Sequence, residues 1–174
     1  FVGNAELPRP VLLAPSQVEE LLAGGREPLL LGVEGGRAYF ALEVDNVQGP
    51  GISGRFVDLR GVAPLLSVTD GALLAYAKTL AHWHGRNRYC GACGSRSKVE
   101  EGGFARRCTN HGCGLLDFPR TDPAVIVLIR SGEKCLLGRQ ASWIDRMYSV
   151  IAGFVGPGEC VETAVEREAL EETG

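Results

Sequence analysis

Three glutamates near the end of the sequence have the residue type and the spacing of a divalent-cation site. Glu168, Glu171 and Glu172 stand at positions i, i+3 and i+4, so on a helix their side chains occupy one sector of about 100°. Like charges at this spacing repel, and a helix gains from gathering them only if a cation lies among them. Mg2+ prefers carboxylate and phosphate oxygens together. The pattern therefore favours a metal site for phosphate chemistry; the alternative is an acidic helix face exposed to solvent.

The stretch before these glutamates is also regularly spaced. Five residues separate Gly153 from Glu159, and seven more lead to Arg167 and the sequence REALEETG. This stretch resembles the signature of the Nudix hydrolases, Gx5Ex7REUxEExGU with U a bulky aliphatic residue, at every fixed position that it reaches. The resemblance implies that the three glutamates bind metal, and that Glu159 and Arg167 complete the catalytic set by fixing the loop against the helix.

Three positions depart from the family pattern. Gly156 stands where members generally carry Glu, which removes a carboxylate near the metal site but not one of the usual ligands. Cys160 stands where Thr or Ser is frequent; a hydroxyl there would cap the helix, and its loss typically costs about 1 kcal/mol. Ala169 is a small residue at a bulky position. None of the three belongs to the glutamate cluster.

Four of the six cysteines form two pairs, Cys90 with Cys93 and Cys108 with Cys113, with fourteen residues between the pairs. This separation predicts a zinc ribbon in which four thiolates hold one structural zinc ion. A ribbon of this size cannot bury enough core to fold unaided, so the metal would supply the stability. Two alternatives stay open: the cysteines are reduced members of a small core, or His111 replaces one of them as ligand.

The strand signals of the N-terminal region predict a small β-rich domain. Apolar runs at 29–33 and 38–44 flank the sequence EGGR, which is typical of a hairpin. A further strand is expected at 56–60, after a Gly/Pro-rich break at 48–54.

Two helices are expected in the same region. Ser16 and Glu19 form a capping box for a short helix at 17–23, with a glycine as its stop. Apolar residues at helical spacing over 70–84 predict a longer helix behind a cap at Asp70. The histidines at positions 82 and 84 could bind a metal, but the tryptophan between them and the apolar stripe favour packing or a surface position.

The last third predicts three strands that lead to the glutamate helix. The apolar run 124–129 is expected to be a buried strand. A turn at 131–134 should connect it to a second strand at 135–140, and a third strand should cover 148–154.

Residues 58–174 resemble the NADH pyrophosphatase group of the Nudix hydrolases, and the first fifty residues resemble it more weakly. The ribbon, the signature and the sequences DLR, HWH, PRTDPAVI, LGRQ and AGFV carry the resemblance. It implies an α+β architecture with an N-terminal β-rich domain at 1–87, a zinc ribbon at 88–119 and part of a Nudix α/β/α sandwich at 120–174. A homodimer is also implied.

The same resemblance implies hydrolysis of the pyrophosphate of NADH or NAD to nicotinamide mononucleotide and AMP, and removal of NAD caps from RNA. The three glutamates and the Ala152 carbonyl would hold Mg2+ or Mn2+, which neutralises pyrophosphate oxygens and activates water. Phe118 stands where relatives often carry a substrate-contacting Tyr, so it could stack on a base. The alternatives are hydrolysis of another nucleoside diphosphate derivative such as ADP-ribose, and a non-catalytic zinc-ribbon binding module.

Length and composition set wider bounds. The 174 residues are 45% hydrophobic and carry a formal net charge of −3, which fits one or two globular domains without an overall basic field for nucleic acid or membrane. No apolar run approaches the ~20 residues of a membrane span. Clustered cysteines favour a reducing, intracellular and by default cytoplasmic location; organellar targeting stays open because the sequence does not begin with Met. The ribbon is locally basic, which leaves nucleic-acid or protein binding open, through Arg96, Lys98, Arg106 and Arg107.

The sequence stops at Gly174, one position before the last aliphatic residue of the signature. Relatives continue with further strands, an SQPWPFPxS element and another metal-binding Glu. We therefore expect that residues 1–174 alone are inert or nearly so, with an unstable C-terminal third and an unpaired sheet edge.

Overall fold

The computed structural model describes residues 8–44 and 54–174. The chain forms two compact units, Phe1–Pro119 and Arg120–Gly174. Helices and strands alternate in the first unit, and four short strands precede one helix in the second, so the α+β class is confirmed. Among the described residues, no helix combines the length and the apolar character needed to cross a membrane.

The described residues of the first unit form three α-helices, a hairpin and a three-stranded sheet. Its elements in chain order are α1 (Glu19–Ala23), β1 (Leu29–Glu34), β2 (Arg37–Ala41), α2 (Leu59–Val62), α3 (Val68–Arg86), β3 (Ser97–Glu100), β4 (Ala105–Cys108) and β5 (Leu116–Asp117), with 3-10 turns at Pro15–Gln17, Ala63–Leu65 and Glu101–Gly103. The second unit contains β6 (Ala124–Val127), β7 (Arg130–Ser131), β8 (Lys134–Cys135), β9 (Ile151–Phe154) and α4 (Val161–Thr173).

The predicted hairpin is confirmed. β1 and β2 are antiparallel, with Glu34 opposite Arg37. The two residues between them, Gly35 and Gly36, have φ of +56° and +76°. Two successive positive φ angles are the mark of a tight hairpin turn whose twist matches the strands, and glycine adopts them without steric cost.

Two local expectations in the N-terminal region are wrong, and a third cannot be compared with the structure. The Ser16 and Glu19 capping box is absent, because the Ala14 N–H donates to Gln17 Oε1 at 2.8 Å instead and α1 begins only at Glu19. The strand at 56–60 is replaced by the start of α2, where Asp58 Oδ1 accepts from the Arg60 N–H at 2.7 Å. Of the Gly/Pro-rich break at 48–54, all but the last residue lies outside the described residues.

The long helix α3 begins earlier than expected. Ser67, not Asp70, is its N-cap: Ser67 Oγ accepts from the Asp70 N–H at 3.1 Å and donates to Asp70 Oδ2 at 2.8 Å. One side of α3 buries Leu80 and Trp83 against Leu29 of β1. This small cluster joins the helix to the hairpin.

The second unit is a two-stranded sheet with one helix against it. β6 and β9 are antiparallel, with Val125 opposite Gly153, and α4 packs on both strands. Val125 is buried, whereas Ile126 is 78% exposed and Phe154 68% exposed. The expectation of a fully buried strand at 124–129 is therefore wrong, because only alternate side chains face the helix. The turn predicted at 131–134 is confirmed, because Gly132 and Glu133 connect β7 to β8.

We predict that Leu80→Ala strongly destabilises the first unit. Leu80 is 1% exposed, and truncating a buried leucine typically costs about 2–5 kcal/mol. Val68→Ala on the same helix is the control, because Val68 is 91% exposed and should change stability by less than about 0.5 kcal/mol. Urea denaturation followed by tryptophan fluorescence measures both; equal midpoints for the two variants would contradict the packing described.

Candidate active site and cysteine centre

A tight loop joins β9 to α4. The Glu159 backbone N–H donates to the Gly156 carbonyl at 3.0 Å, and the Gly156 N–H donates to Glu159 Oε2 at 2.8 Å. Gly158 has φ of +80°, a left-handed conformation that glycine favours. Cys160 is the N-cap residue of α4 and makes no capping hydrogen bond with its side chain, which confirms the expected loss of a side-chain cap.

The Arg167 guanidinium connects this loop to the helix. Its Nε and Nη2 atoms donate to the two carboxylate oxygens of Glu159, both at 2.9 Å. Nη2 also donates to the Phe154 carbonyl at 2.9 Å. A bidentate pair of guanidinium and carboxylate is strong and directional. One side chain therefore holds together the end of β9, the loop and α4.

The same guanidinium contacts two of the three glutamates. Nη1 donates to Glu168 Oε1 at 2.8 Å and to Glu171 Oε2 at 3.2 Å. Both carboxylates thus lie within hydrogen-bond distance of one nitrogen. Glu172 lies at the next position of α4 and is exposed. Across residues 8–44 and 54–174, the three glutamates do not form a set of ligand atoms close enough together to hold a metal ion as they stand.

Glu168 lies directly against the backbone of β9. A Cβ atom at Gly153 would overlap the Glu168 carboxyl group, so this close approach requires the glycine that opens the signature. The Glu168 side chain is only 13% exposed, compared with 57% for Glu171. The innermost carboxylate is therefore held between helix and strand.

Charge pairing sets the protonation of this network. The Arg167 guanidinium, and next the Gly156 N–H, lower the pKa of the Glu159 carboxyl to about 2. In return, hydrogen bonds to Glu159 and then Glu168 raise the pKa of Arg167. Glu159 and Arg167 are thus a fixed anion and cation at neutral pH.

The two remaining residues of the expected site lie on different units. Ala152 is in β9 opposite Ile126, next to Gly153. Phe118 belongs to the first unit, where its ring is 40% exposed and its N–H donates to Asp117 Oδ1 at 3.1 Å.

The four ribbon cysteines come together as predicted. All four Sγ atoms lie within 4.8 Å of one another; Cys90 and Cys113 are separated by 3.8 Å, and Cys93 and Cys108 by 3.4 Å. Zinc–sulfur bonds of ~2.3 Å in a tetrahedron place sulfur atoms about 3.8 Å apart. The sulfur positions therefore fit a zinc ion, and His111 is not part of the cluster among the described residues.

Backbone turns hold these sulfurs. The Gly94 N–H donates to the Cys90 carbonyl at 2.9 Å, and the Gly114 N–H donates to the Asn110 carbonyl at 2.8 Å. Both glycines have positive φ, +73° and +58°. Cys108 is the last residue of β4, opposite Ser97 of β3, so the ribbon sheet positions the third sulfur.

The thiols differ in acidity without a cation. Hydrogen bonds from the side chain and backbone of Ser95 lower the pKa of Cys93 to about 6, whereas burial raises the pKa of Cys108 to about 12. Four sulfurs this close can all be thiolates only if a cation lies among them.

Family profiles cover almost the whole chain. An NADH pyrophosphatase-like rudimentary NUDIX domain matches residues 3–83, an NADH pyrophosphatase zinc ribbon domain matches residues 86–116, and a NUDIX domain matches residues 120–174. The chain belongs to the Nudix family. It carries the ribbon and the N-terminal domain of the NADH pyrophosphatases.

Curated relatives agree with this placement. The Nudix chain is 40% identical over 152 residues to the NAD-capped RNA hydrolase NudC of Mycobacterium tuberculosis, covering 85% of this chain and 48% of the relative. It is 36% identical over 151 residues to the NAD-capped RNA hydrolase NUDT12 of Homo sapiens, covering 79% and 33%. The identity to Nudix hydrolase 19, chloroplastic, of Arabidopsis thaliana is 39% over 127 residues, covering 68% and 29%. The chain spans less than half of the length of each of these relatives.

Sequence reasoning missed one part of the ribbon of this Nudix protein. Asn110 Oδ1 accepts from the Gly112 N–H at 2.9 Å, and Asn110 Nδ2 lies 3.9 Å from Cys93 Sγ. The sequence did contain a signal for this turn: asparagine two residues before glycine is typical of an Asx turn, in which the asparagine side chain accepts from the backbone. Asn110 thus shapes the second cysteine turn and lies beside a sulfur of the first.

We predict that Glu159 of the Nudix loop stays ionised at pH 3.5. Its folded-state pKa of about 2 lies below the ordinary value of 4.5, so the stabilisation from its pair with Arg167 is complete above pH 4.5 and is lost as the pH falls toward about 2. Carbon-13 NMR of the Glu159 carboxyl group measures this. In Arg167→Met the pKa should rise toward 4.5; a wild-type midpoint already near 4.5 would contradict the bidentate pair.

Proposed function

We propose that the protein hydrolyses the pyrophosphate bond of NADH or NAD, giving nicotinamide mononucleotide and AMP, and that NAD-capped RNA presents the same bond. The observation that carries this proposal is the Arg167 network, which gathers Glu168 and Glu171 at one nitrogen beside the glycine of the signature. The names of two relatives, both NAD-capped RNA hydrolases, support the substrate class. The homodimer and the cytoplasmic location stay predictions.

The oxygen donors on α4 have the chemistry that a divalent cation prefers, and the three carboxylates would have to move closer together to share one ion. Glu168, Glu171 and Glu172, together with the Ala152 carbonyl, would hold Mg2+ or Mn2+, since hard cations prefer oxygen ligands. Two of these carboxylates already share one cationic partner, the Arg167 guanidinium, so a second cation can compete for the same oxygens. When bound, the metal supplies charge neutralisation on pyrophosphate oxygens and lowers the pKa of a water molecule.

The remaining residues of the network act by positioning. Arg167 orients the Glu168 and Glu171 carboxylates, and Glu159 orients Arg167 through both of its oxygens. Because the loop, strand and helix meet at this guanidinium, its loss would move the carboxylates relative to the substrate. We place Glu159 and Arg167 in this role and not among the groups that react.

Phe118 and the ribbon cysteines have separate roles in this proposal. We divide the chain into an N-terminal domain at 1–87, the ribbon at 88–119 and the Nudix domain at 120–174. The exposed Phe118 ring offers a flat apolar face on which a base can stack. Cys90, Cys93, Cys108 and Cys113 bind one structural zinc ion, because protein sulfur fills every ligand position.

We predict about one zinc ion per chain. Cys108→Ser should lose the metal and destabilise the first unit, since zinc binding supplies folding free energy. Cys135→Ser is the matched control, because Cys135 is exposed and outside the cluster, and its zinc content should not change. Elemental analysis measures both. Stoichiometric zinc in Cys108→Ser would show that this sulfur is not a ligand.

We predict that Glu171→Gln and Glu172→Gln each lower kcat by roughly 10²-fold or more, the scale for loss of a key electrostatic group, while the fold is kept. Glu166→Gln is the control, since Glu166 is an exposed residue of the same helix outside the set, and it should retain activity. Release of AMP from NADH with Mn2+, measured on the full-length protein, gives the turnover. Near-normal turnover in both variants would mean that Glu171 and Glu172 are exposed surface residues without a catalytic role.

A substrate panel tests the proposed function itself. NADH, NAD and ADP-ribose are incubated with the full-length protein and Mn2+, because residues 1–174 alone are expected to be nearly inert, and the products are separated by chromatography. We expect AMP and reduced nicotinamide mononucleotide from NADH in equal amounts. Preferred cleavage of ADP-ribose would instead support the alternative substrate, and no cleavage of any compound would support the non-catalytic binding module.

A further inference from the structure

A cleft in the first unit carries a concentration of positive charge. Its volume is about 610 Å³, within the range of ~300–1,000 Å³ that is usual for small-molecule sites. Five cationic side chains and two carboxylates line it, along with a histidine and a tyrosine. The whole chain has a net charge of −3, so this excess of cations is local. No residue of the glutamate network lines the cleft.

The most buried of these cations is Arg106, which is 7% exposed. Its guanidinium donates to Ser97 Oγ, to the Ser97 carbonyl and to His84 Nδ1, each at 2.8 Å. All three acceptors are neutral, whereas a buried charge is normally paired with an opposite charge. Within the described part of the chain, no carboxylate is hydrogen-bonded to Arg106; Glu27, which also lines the cleft, acts on it only through space, and this effect on the pKa of Arg106 is smaller than that of burial.

His84 reinforces this arrangement without adding charge. An arginine can only donate, so His84 Nδ1 accepts from Arg106 and His84 Nε2 donates to the Gly103 carbonyl at 2.7 Å. Both ring nitrogens are used by the neutral form. Burial, which is the largest cause, lowers the pKa of His84. The imidazole thus holds the guanidinium in place as a neutral group.

The rim of the cleft carries exposed cations beside an aromatic ring. Arg88 lies 3.5 Å from Glu43, a distance at which two exposed groups interact weakly. Arg96 stands over the Tyr89 ring, 5.9 Å from its centroid, and the Tyr89 side chain is 60% exposed. Arginines bind phosphate groups well, and an exposed aromatic ring beside them offers a face on which a base can stack.

We propose that this cleft is a second phosphate-binding site that takes the phosphate groups of a nucleotide, either free or within an RNA chain. Arg106 supplies a fixed buried charge, Arg88 and Arg96 supply mobile donors at the rim, and Tyr89 supplies a face for a base. Arginine binds phosphate through paired N–H groups, which a cluster of several arginines can provide from different sides.

The test uses the zinc-loaded protein without Mg2+ or Mn2+, so that no turnover occurs and the result does not depend on the proposed hydrolysis. Inorganic pyrophosphate and a six-nucleotide RNA are titrated separately by calorimetry. The test variant is Arg88→Gln with Arg96→Gln, because both side chains are exposed and their replacement spares the buried Arg106. The control variant is Arg37→Gln, an exposed arginine of β2 outside the cleft.

We expect pyrophosphate to bind the wild type and the control equally, and to bind the double variant about tenfold more weakly or not at all. If RNA shows the same pattern and displaces pyrophosphate, the site serves an RNA chain; if only pyrophosphate binds, it serves a free nucleotide. Absence of pyrophosphate binding to the wild type, or equal binding by the double variant, overturns the proposal. Unchanged zinc content in each variant shows that the ribbon is intact.

Discussion

The bidentate pair between Arg167 and Glu159 is the interaction on which the second unit depends. It ties the loop after β9 to the middle of α4, and the same guanidinium reaches two carboxylates of the signature. A two-stranded sheet and one helix bury little apolar surface, so directional hydrogen bonds between charged groups carry much of the positioning. Gly153 completes the arrangement by letting Glu168 lie against the strand.

The first unit is stabilised differently, by a small apolar core and a cluster of cysteines. Its apolar core is a small cluster around Leu80, and the ribbon adds little apolar burial of its own. Four converging sulfurs replace that missing core, since a metal bound among them links both cysteine turns at once. Arg106 of the ribbon sheet makes the link to α3: its guanidinium donates to Ser97 Oγ on the neighbouring strand and to His84 Nδ1 on the helix. Ribbon and helix α3 are therefore connected through polar contacts.

The parts that could be predicted from the sequence are those set by local spacing. The Gly35 hairpin turn, the four cysteines and the helical glutamates each follow from residue type and separation along the chain. The errors arose where two local signals competed. Ser67 and Asp70 are both residues that cap helices well, and the structure uses Ser67 for α3. At 56–60 the apolar residues around Val57 favoured a strand, but Asp58 caps a helix there. The buried pair of Arg106 and His84 could not be predicted, because its partners lie 22 residues apart and meet only through packing.

The central claim is that the Arg167 network presents its glutamates to a divalent cation. Paramagnetic broadening of backbone amide signals by substoichiometric Mn2+ tests this without catalysis or substrate. The account predicts that broadening centres on Gly153 and on the part of α4 that carries Glu168, Glu171 and Glu172, and that Arg167→Met weakens it. Broadening that is absent, or that centres elsewhere in the chain, would contradict the claim.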